Sequence, residues 1–587
     1  MENNFKGIPA SPGIISGRAF IIDKDNFVIE KKKVSQGQVK NELLRLEKAI
    51  VATKKEIFEL KERLTKELSE SEARIFDAHL LILEDPVFTK DIVDKVEKEK
   101  LSVEYALSES LKKTASVFEK INDIYLKERS ADLKDVGRRL IYNLLGYNKR
   151  SISQLKQKVI IIAHDISPSD TASMKKDKVI GFATDIGGET SHTAIIARSL
   201  AIPAVVGLRN ISNNVKTGDT VLIDGNQGVV IINPSEKTLK AYQAIKRRFN
   251  VFEKELKKVT KLPAETQDGH SVELVGNIES PEEVDAVLEH GGEGIGLFRT
   301  EFLYLNRNSL PTEEEQFQVY KKAVKKVGSK PVIIRTLDIG GDKFVSYMDI
   351  SPEVNPFLGL RAIRLCLEHP EIFKVQLRAI LRASAFGQIK IMFPMISGLS
   401  QLKEAKRILN EVKEGLDKDK IAYDKDMEIG VMVETPSAAV IADILAKEVD
   451  FFSIGTNDLI QYTLAVERTN EKIAYLYEPL HPAIIRLLKN IIDAGHKEGI
   501  WVGLCGEMAS IPLFVIILLG MGLDEFSTNI VSLPLVKKII RLTTYHDTKI
   551  LADKIMGLSS SVEIRKYLQE NLTSVIREEL VIREERK

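Results

Sequence analysis

The pattern of hydrophobic and polar positions divides the chain into distinct segments. Near the amino terminus, and again over residues 159–232, short β-branched runs alternate with Gly, Pro or Asp turns, which predicts strands. Over residues 35–146, apolar side chains recur three and four positions apart in a segment rich in lysine and glutamate, which predicts helices. Capping serines and helix breakers mark the ends of these helices, at Ser71, Pro86, Ser102, Ser130 and Gly146.

Beyond residue 266 the pattern becomes a strand followed by a helix, repeated along the chain. Eight short apolar runs carry the strand signal, and they span residues 272–278, 294–298, 331–336, 389–394, 429–433, 451–455, 501–504 and 525–527. Strands that alternate with helices form parallel sheets, and eight such units fit a (β/α)₈ barrel of the TIM type. We therefore predict a barrel in this half of the chain.

Together these segments predict a multidomain α/β protein. An α/β domain over residues 1–23 and 147–234 is interrupted by a helical bundle over residues 24–146. A charged linker helix follows over residues 235–265, and the barrel occupies residues 266–587.

Composition narrows the class of protein. The net charge of +1 over 587 residues gives no basis for a nucleic-acid surface. The amino terminus lacks the apolar core of a signal peptide, and the longest apolar run, residues 511–519, is too short to insert across a membrane. The two cysteines, Cys366 and Cys505, cannot form a disulfide framework, so a reducing cytoplasm is the expected compartment.

One loop in the α/β half presents a histidine at a predicted helix start. The segment Gly-Gly-Glu-Thr-Ser-His, residues 187–192, has two glycines for a tight turn and a Thr or Ser to cap the helix that follows. His192 then lies in the first helical turn, where free N–H groups and the helix dipole favour an anion such as a phosphoryl group. A histidine that merely begins a helix explains this loop equally well by itself.

Charged and polar residues and one cysteine follow several barrel strands, where the functional groups of such barrels lie. They are Arg299, Arg335, Asp338, Lys343, Glu434, Asn457, Asp458, Arg468, Cys505 and Glu507. Arginines match phosphate and carboxylate oxygens two at a time, whereas a pair of carboxylates suits Mg²⁺ that bridges to substrate. Any single charge is better explained as a rim salt bridge, but repeated placement at strand ends favours a site. Cys505 is either a buried small hydrophobe or a proton-donating thiol.

Longer motifs make a resemblance specific. Residues 187–207 resemble the phosphohistidine domain of enzymes that use phosphoenolpyruvate. Several barrel motifs and residues 125–140 of the bundle resemble Enzyme I, the general component of the bacterial sugar phosphotransferase system. These barrel motifs are Gly-Leu-Phe-Arg-Thr-Glu-Phe-Leu (296–303), Arg-Thr-Leu-Asp-Ile-Gly-Gly-Asp-Lys (335–343), residues 355–364, Met-Val-Glu-Thr-Pro (432–436), Ser-Ile-Gly-Thr-Asn-Asp-Leu (453–459) and Gly-Leu-Cys-Gly-Glu-Met-Ala (503–509).

The resemblance implies a function and a role for each residue. Phosphoenolpyruvate is bound at the barrel mouth, Mg²⁺ is held by Glu434 and Asp458, and His192 takes the phosphoryl group. Cys505 protonates the enolate to give pyruvate. The residues implied to bind substrate are Arg299, Arg335, Asn457, Arg468, Lys343 and Arg361. The phosphoryl group then passes to the carrier protein HPr.

The same resemblance implies partners and movement. HPr docks on the helical bundle near His79 and Leu80, the α/β domain swivels between substrate and carrier, and the chain dimerises through the barrel. One residue departs from the family pattern, since Glu189 stands where the family commonly has arginine. A carboxylate there should repel an incoming phosphoryl group and change the rate of transfer or the lifetime of phosphohistidine.

Three other functions are weighed against this one. Pyruvate phosphate dikinase and phosphoenolpyruvate synthase share the histidine domain and the barrel, but they need a nucleotide-binding domain for which the sequence offers no Gly-rich loop. The nitrogen-related Enzyme I usually carries an extra sensory domain, for which the sequence gives no sign. A regulatory scaffold that is phosphorylated without turnover is the alternative from a different class.

Overall fold

The structure is a computed structural model that describes residues 2–22, 29–67, 75–120, 124–146, 155, 157–166, 178–188, 194, 197, 202–305, 307, 309–340, 353, 355–468, 470 and 472–572. Its internal contacts divide the chain into two compact units, one of which runs to Arg248 while the other begins at Phe249. The borders of the four predicted segments stay predictions.

The first unit contains the predicted helical bundle. Its helices are α1 (Val39–Glu67), α2 (Ile75–Glu84), α3 (Pro86–Lys98), α4 (Val103–Lys120) and α5 (Ile124–Leu145). They enclose a core of buried aliphatic side chains and Phe76. The prediction of a helix start near Ser130 is wrong, because α5 starts at Ile124 and passes through that serine. Serine can cap a helix but is also tolerated inside one, so its presence alone does not mark a start.

The α/β part of the first unit is an eight-stranded sheet. Its strands are β1 (Asn3–Lys6), β2 (Ile8–Ser11), β3 (Ile14–Ile22), β4 (Val159–Ala163), β5 (Val179–Thr184), β6 (Ala204–Val206), β7 (Thr220–Asp224) and β8 (Val229–Ile232), in the order β1-β8-β7-β3-β4-β5-β6-β2. Strand β3 pairs in parallel with β4, although the whole bundle lies between them in sequence. This pairing confirms that the bundle is inserted into the α/β domain.

Two further helices follow these strands in sequence. The short helix α6 (Ile211–Asn214) follows β6, and the long helix α7 (Glu236–Val259) follows β8. The second matches the predicted linker helix. Its first turn is held by Glu2, which accepts hydrogen bonds from the Ser235 backbone at 3.0 Å and from the Thr238 hydroxyl at 3.0 Å.

The second unit is a closed barrel of eight parallel strands. The strands are β9 (Glu273–Ile278), β10 (Ile295–Arg299), β11 (Val332–Arg335), β12 (Ile389–Phe393), β13 (Ile429–Val433), β14 (Phe451–Ile454), β15 (Trp501–Leu504) and β16 (Glu525–Thr528). The predicted barrel is therefore confirmed, and the strand bounds differ from the prediction by only a few residues. Short runs of buried apolar residues, most of them ended by a polar residue or glycine, explain this agreement.

Helices follow the strands around the barrel. They are α8 (Val284–Glu289), α9 (Glu313–Val327), α10 (Ile363–Glu368), α11 (Pro370–Ser384), α12 (Leu399–Lys418), α13 (Pro436–Val440), α14 (Ala442–Leu445), α15 (Thr456–Leu464), α16 (Pro482–Lys497), α17 (Pro512–Met521), α18 (Leu533–Leu542), α19 (Tyr545–Ile555) and α20 (Ser561–Asn571). The longest apolar run of the sequence forms α17, which is buried. Among the described helices, none has the length and apolar character needed to span a membrane.

A buried carboxyl group near the amino ends of the barrel strands makes stability depend on pH. Glu525, at the start of β16, is 2% exposed, and burial, together with Glu273 and Glu428, raises its pKa to about 8. Between its unfolded pKa and this value the folded state binds more protons, so stability falls as pH rises. We expect Glu525→Gln to flatten this slope and to stabilise the barrel at pH 8 by about 2–4 kcal/mol. Thermal unfolding between pH 5 and pH 8 measures the effect, and parallel curves for the two proteins would contradict it.

Candidate active site

The carboxyl ends of the barrel strands meet around one cavity of about 250 Å³. Its polar lining comes from the ends of five strands, β10, β11, β13, β14 and β15, because in a closed parallel barrel all carboxyl ends lie at the same mouth. The predicted residues that line it are Arg299, Arg335, Asp338, Arg361, Glu434, Asn457, Asp458, Arg468, Cys505 and Glu507. The structure therefore brings together ten residues that were placed at strand ends from the sequence or assigned by resemblance.

A buried chain of ion pairs crosses this mouth. Arg335 contacts Glu301 at 2.5 Å and Asp338 at 3.1 Å. The second oxygen of Asp338 lies 2.9 Å from Arg361, which also reaches Asp458 at 3.3 Å. Burial alone would lower the pKa of both guanidinium groups, but Glu301, Asp338 and Asp458 raise it, so both arginines stay charged. Because Arg335, Asp338 and Arg361 each contact two charged partners, isolated rim salt bridges do not describe them.

Three other polar groups of the lining are more accessible. Arg299 donates to Glu279 at 3.0 Å with about a third of its side chain exposed. Arg468 has no ion pair within the described residues, so its guanidinium is available for an anion. Asn457 donates to Glu507 at 3.2 Å and accepts from the Glu507 backbone at 3.2 Å, which ties the loops after β14 and β15 together.

Glu434 and Asp458 fit a divalent cation. Glu434 follows β13, is 1% exposed and accepts a hydrogen bond from the Met395 backbone at 2.6 Å. Burial, and then repulsion by Asp458 and Asp338, raises the pKa of Glu434 to about 8, despite the nearby Arg335 and Arg361. A bound cation would relieve this unfavourable charge.

The surroundings of Glu434 support the same fit. A Cβ on Gly455 would lie 2.7 Å from its second oxygen, so the glycine leaves room for this carboxylate. The described residues contain no group of three or more His, Cys, Asp or Glu side chains arranged around a metal. Two carboxylates with the remaining oxygens from substrate and water are the coordination that Mg²⁺ commonly has beside phosphate.

The position of Cys505 is compatible with both roles that the sequence left open. It follows β15, is 4% exposed and packs with Leu297, Met432 and other apolar side chains inside the barrel. It also lines the cavity. Burial raises the pKa of its thiol to about 11, so the group carries its proton at neutral pH. A thiol in this state can donate a proton, whereas a nucleophilic role would need the thiolate.

Some predicted residues lie outside the described part of the chain. These are His192, Lys343 and Glu189. Their assigned roles stay predictions.

His79, which the resemblance places near the docked carrier, has a buried side chain in the structure. The His79 side chain is fully buried beside Phe76, and its Nε2 lies 3.2 Å from Asp132. It cannot touch a docked protein in this conformation, because it occupies the apolar face of α2 together with Phe76 and Leu83. Leu80 is half-buried against the same core. Docking near these residues stays a prediction.

Several residues of the lining have no role assigned from the sequence. Glu301 and Asp338 hold Arg335, while Phe302 and Phe357 supply apolar walls. The sequence places Asp338 after a strand end without assigning it a role. Glu301 and Phe302 could have been found from their position, since they follow the end of β10. Polarity and strand position do not reveal, however, which charged side chains pair with each other.

The fold and this mouth define a class: a barrel enzyme that binds a small phosphorylated acid together with a divalent cation. Models of phosphoenolpyruvate-utilising enzymes agree with this class along the chain. The model of the PEP-binding domain matches residues 253–545, that of the mobile domain residues 155–228 and that of the N-terminal domain residues 6–129.

Curated relatives extend over nearly the whole chain. Phosphoenolpyruvate-protein phosphotransferases of Priestia megaterium and Bacillus subtilis are both 48% identical, and cover 97% and 96% of this chain and 99% of their own lengths. The enzyme of Haemophilus influenzae is 44% identical over 96% of this chain and 98% of its own length. The chain belongs to the phosphoenolpyruvate-protein phosphotransferase family, Enzyme I. The predicted family, the multidomain fold and the enzyme class are thereby confirmed, and the dikinase alternative is not supported.

Proposed function

We propose that the chain transfers the phosphoryl group of phosphoenolpyruvate to its own His192 and then to a histidine of HPr, with release of pyruvate. The observation that carries this proposal is the cavity at the barrel mouth in which four arginines, the carboxylates of Glu434 and Asp458, and a protonated thiol converge. Phosphoenolpyruvate carries a phosphate and a carboxylate on a three-carbon frame, and these are the groups that arginines bind in pairs. In sugar uptake this is the first, general step.

Substrate binding follows from the charges at the mouth. Arg299 and Arg468 are the more accessible cations, whereas Arg335 and Arg361 are fixed by buried carboxylates. We assign all four, with Asn457 and Lys343, to the phosphate and carboxylate of the substrate. Fixed guanidinium groups need little reorganisation as negative charge moves during transfer, which lowers the barrier.

Glu434 and Asp458 would hold the metal, for which we propose Mg²⁺. When bound, it neutralises charge on the phosphoryl oxygens and orients them. The protein's part is to supply two hard oxygen ligands from neighbouring strands and to exclude further protein ligands. The repulsion by Asp458 and Asp338 that raises the pKa of Glu434 supports this assignment, because a bound cation would offset it.

The chemical step exchanges one bond to phosphorus for another. The nitrogen of His192, for which we propose Nε2, forms a bond to phosphorus as the bond from phosphorus to the enol oxygen breaks. The enolate then takes a proton on its methylene carbon, and Cys505 is the proposed donor because its buried thiol is protonated and lines the cavity. The product is pyruvate.

The remaining partners are also proposals. HPr would dock on the bundle near Leu80, with His79 acting through packing. Homodimerisation through the barrel is supported by exposed apolar side chains after β13 and β14, namely Val440, Ile444, Tyr475 and Leu476. Cytoplasmic location is supported by the two free, buried cysteines.

Incubation with labelled phosphoenolpyruvate, Mg²⁺ and HPr tests the relay. We expect label on the wild-type chain and then on HPr, and none on His192→Ala. His290→Asn is a matched control, because His290 is a barrel histidine bound to the Ala286 carbonyl at 2.7 Å, away from the mouth. Label that persists on His192→Ala would overturn the assignment of His192. Label that reaches the chain but never HPr would favour the regulatory scaffold.

A further inference from the structure

A tyrosine outside the cavity lining connects two parts of the mouth. Tyr462 lies on α15, four residues after Asp458, so the two side chains project from the same face of the helix. Its hydroxyl accepts a hydrogen bond from Nη1 of Arg361 at 3.0 Å. The same hydroxyl donates to the carbonyl of Phe357 at 2.6 Å. One oxygen therefore joins α15, Arg361 and the turn at Phe357.

Arg361 depends on this contact for its orientation. Its Nη2 is shared between Asp338 at 2.9 Å and Asp458 at 3.3 Å, and Tyr462 holds the other terminal nitrogen. The remaining nitrogen, Nε, is buried with no hydrogen-bond partner among the described residues. Rotation of the guanidinium about its axis would exchange these contacts, and the Tyr462 hydroxyl is the neutral group that fixes the rotation.

The turn at Phe357 is held from several sides. Arg364 donates to the carbonyls of Leu358 at 2.8 Å and Gly359 at 3.1 Å, and Glu353 accepts from the Leu360 backbone. The Phe357 carbonyl accepts a hydrogen bond from the Tyr462 hydroxyl. Because Phe357 lines the cavity, this bond sets the position of an apolar wall as well as of a cation.

We propose that Tyr462 is a positioning residue for phosphoenolpyruvate binding, acting through Arg361 and the Phe357 turn. This inference rests on the proposed function, because it assumes that Arg361 binds the substrate. Removal of the Tyr462 hydroxyl would leave the charge of Arg361 unchanged and alter only its orientation. Loss of the hydroxyl should therefore weaken substrate binding more than it slows the phosphoryl transfer step.

Tyr462→Phe removes the hydroxyl and keeps the ring. We expect KM for phosphoenolpyruvate to rise about tenfold while kcat changes by less than about threefold, which is the effect of losing one hydrogen bond to a charged group. Tyr423→Phe is the matched control, because Tyr423 donates to Asp417 at 3.2 Å on the barrel surface. It should retain wild-type constants. Both variants should unfold at the wild-type temperature.

A double-mutant cycle with Arg361→Lys decides whether Tyr462 acts through Arg361. Adding Tyr462→Phe to Arg361→Lys should raise KM by less than about twofold, because the shared partner is already lost. Additive effects, or wild-type kinetics in Tyr462→Phe, would overturn the proposal.

Calorimetric titration with phosphoenolpyruvate and Mg²⁺, in a His192→Ala background, repeats the cycle without phosphoryl transfer. Coupling in binding, with no label transferred by the wild-type chain, would leave Tyr462 assigned and the proposed function wrong. If transfer occurs and the binding cycle is additive, only the role of Tyr462 is wrong.

Discussion

Glu434→Gln is expected to lower kcat/KM for pyruvate formation by about 1000-fold or more, since a carboxylate that holds the metal contributes several kcal/mol to transition-state stabilisation. The amide has the same shape and can still accept the hydrogen bond from the Met395 backbone, now 2.6 Å from Glu434. The fold should therefore survive. What is lost is one of the two charges that Glu434 and Asp458 present to the cation.

The measurement pairs activity with metal binding. Pyruvate release is followed by a coupled assay at increasing Mg²⁺, and Mn²⁺ binding by calorimetry reports the affinity directly. We expect weaker metal binding in Glu434→Gln and partial recovery of rate at high metal concentration. Glu525→Gln is the matched control, because it removes another buried carboxyl with a raised pKa from the opposite end of the barrel. Wild-type metal affinity in Glu434→Gln would contradict the assignment.

The barrel could be predicted from the sequence because its strands are buried. In β13, Ile429–Val433, and β15, Trp501–Leu504, short apolar runs end at a charged or small residue, and the structure has the same bounds. In a parallel barrel those ends meet, so strand order alone is enough to place Glu434 and Cys505 at one mouth. The same logic places Arg299 and Arg335 there.

What the sequence could not predict depends on side-chain direction. Asp338 lies between Arg335 and Arg361, and Glu301 turns to Arg335 from the neighbouring loop. No spacing rule predicts the pair of Glu301 with Arg335, which joins two different strand ends, or that of Asp338 with Arg361, which are 23 positions apart in the sequence. Tyr462 was missed for the same reason. Asp458 and Tyr462 share a helix face, but only the fold shows that Arg361 lies against it.

His79 shows the opposite case, in which the local periodicity of the sequence already indicates burial. Phe76, His79 and Leu83 lie at positions i, i+3 and i+7, and all three are buried in the bundle core. A histidine on that stripe is expected to face inward. The resemblance to a carrier-binding insertion identified the region, whereas the helical pattern decides which side chains can reach a partner.

Asp338→Asn should lower kcat/KM by about 100-fold and destabilise the barrel by about 3 kcal/mol, because one buried carboxylate serves two arginines. Its oxygens lie 3.1 Å from Arg335 and 2.9 Å from Arg361. An asparagine oxygen can accept from one guanidinium, but its amide nitrogen then faces the other, where both groups are donors. One arginine must turn away from the mouth, and its charge loses a buried partner.

Activity and stability must be separated to test this expectation. Asp524→Asn provides the comparison, since Asp524 accepts from His496 and from the Val502 backbone, both at 2.8 Å, at the amino end of β16. It should lower the unfolding temperature without changing kcat/KM. Asp338→Asn should change both, and calorimetry with phosphoenolpyruvate should show weaker binding at a temperature where the variant is fully folded. If Asp338→Asn loses only stability, the arginines keep their positions without the shared carboxylate, and preorganisation of the mouth must come from Glu301 and Asp458.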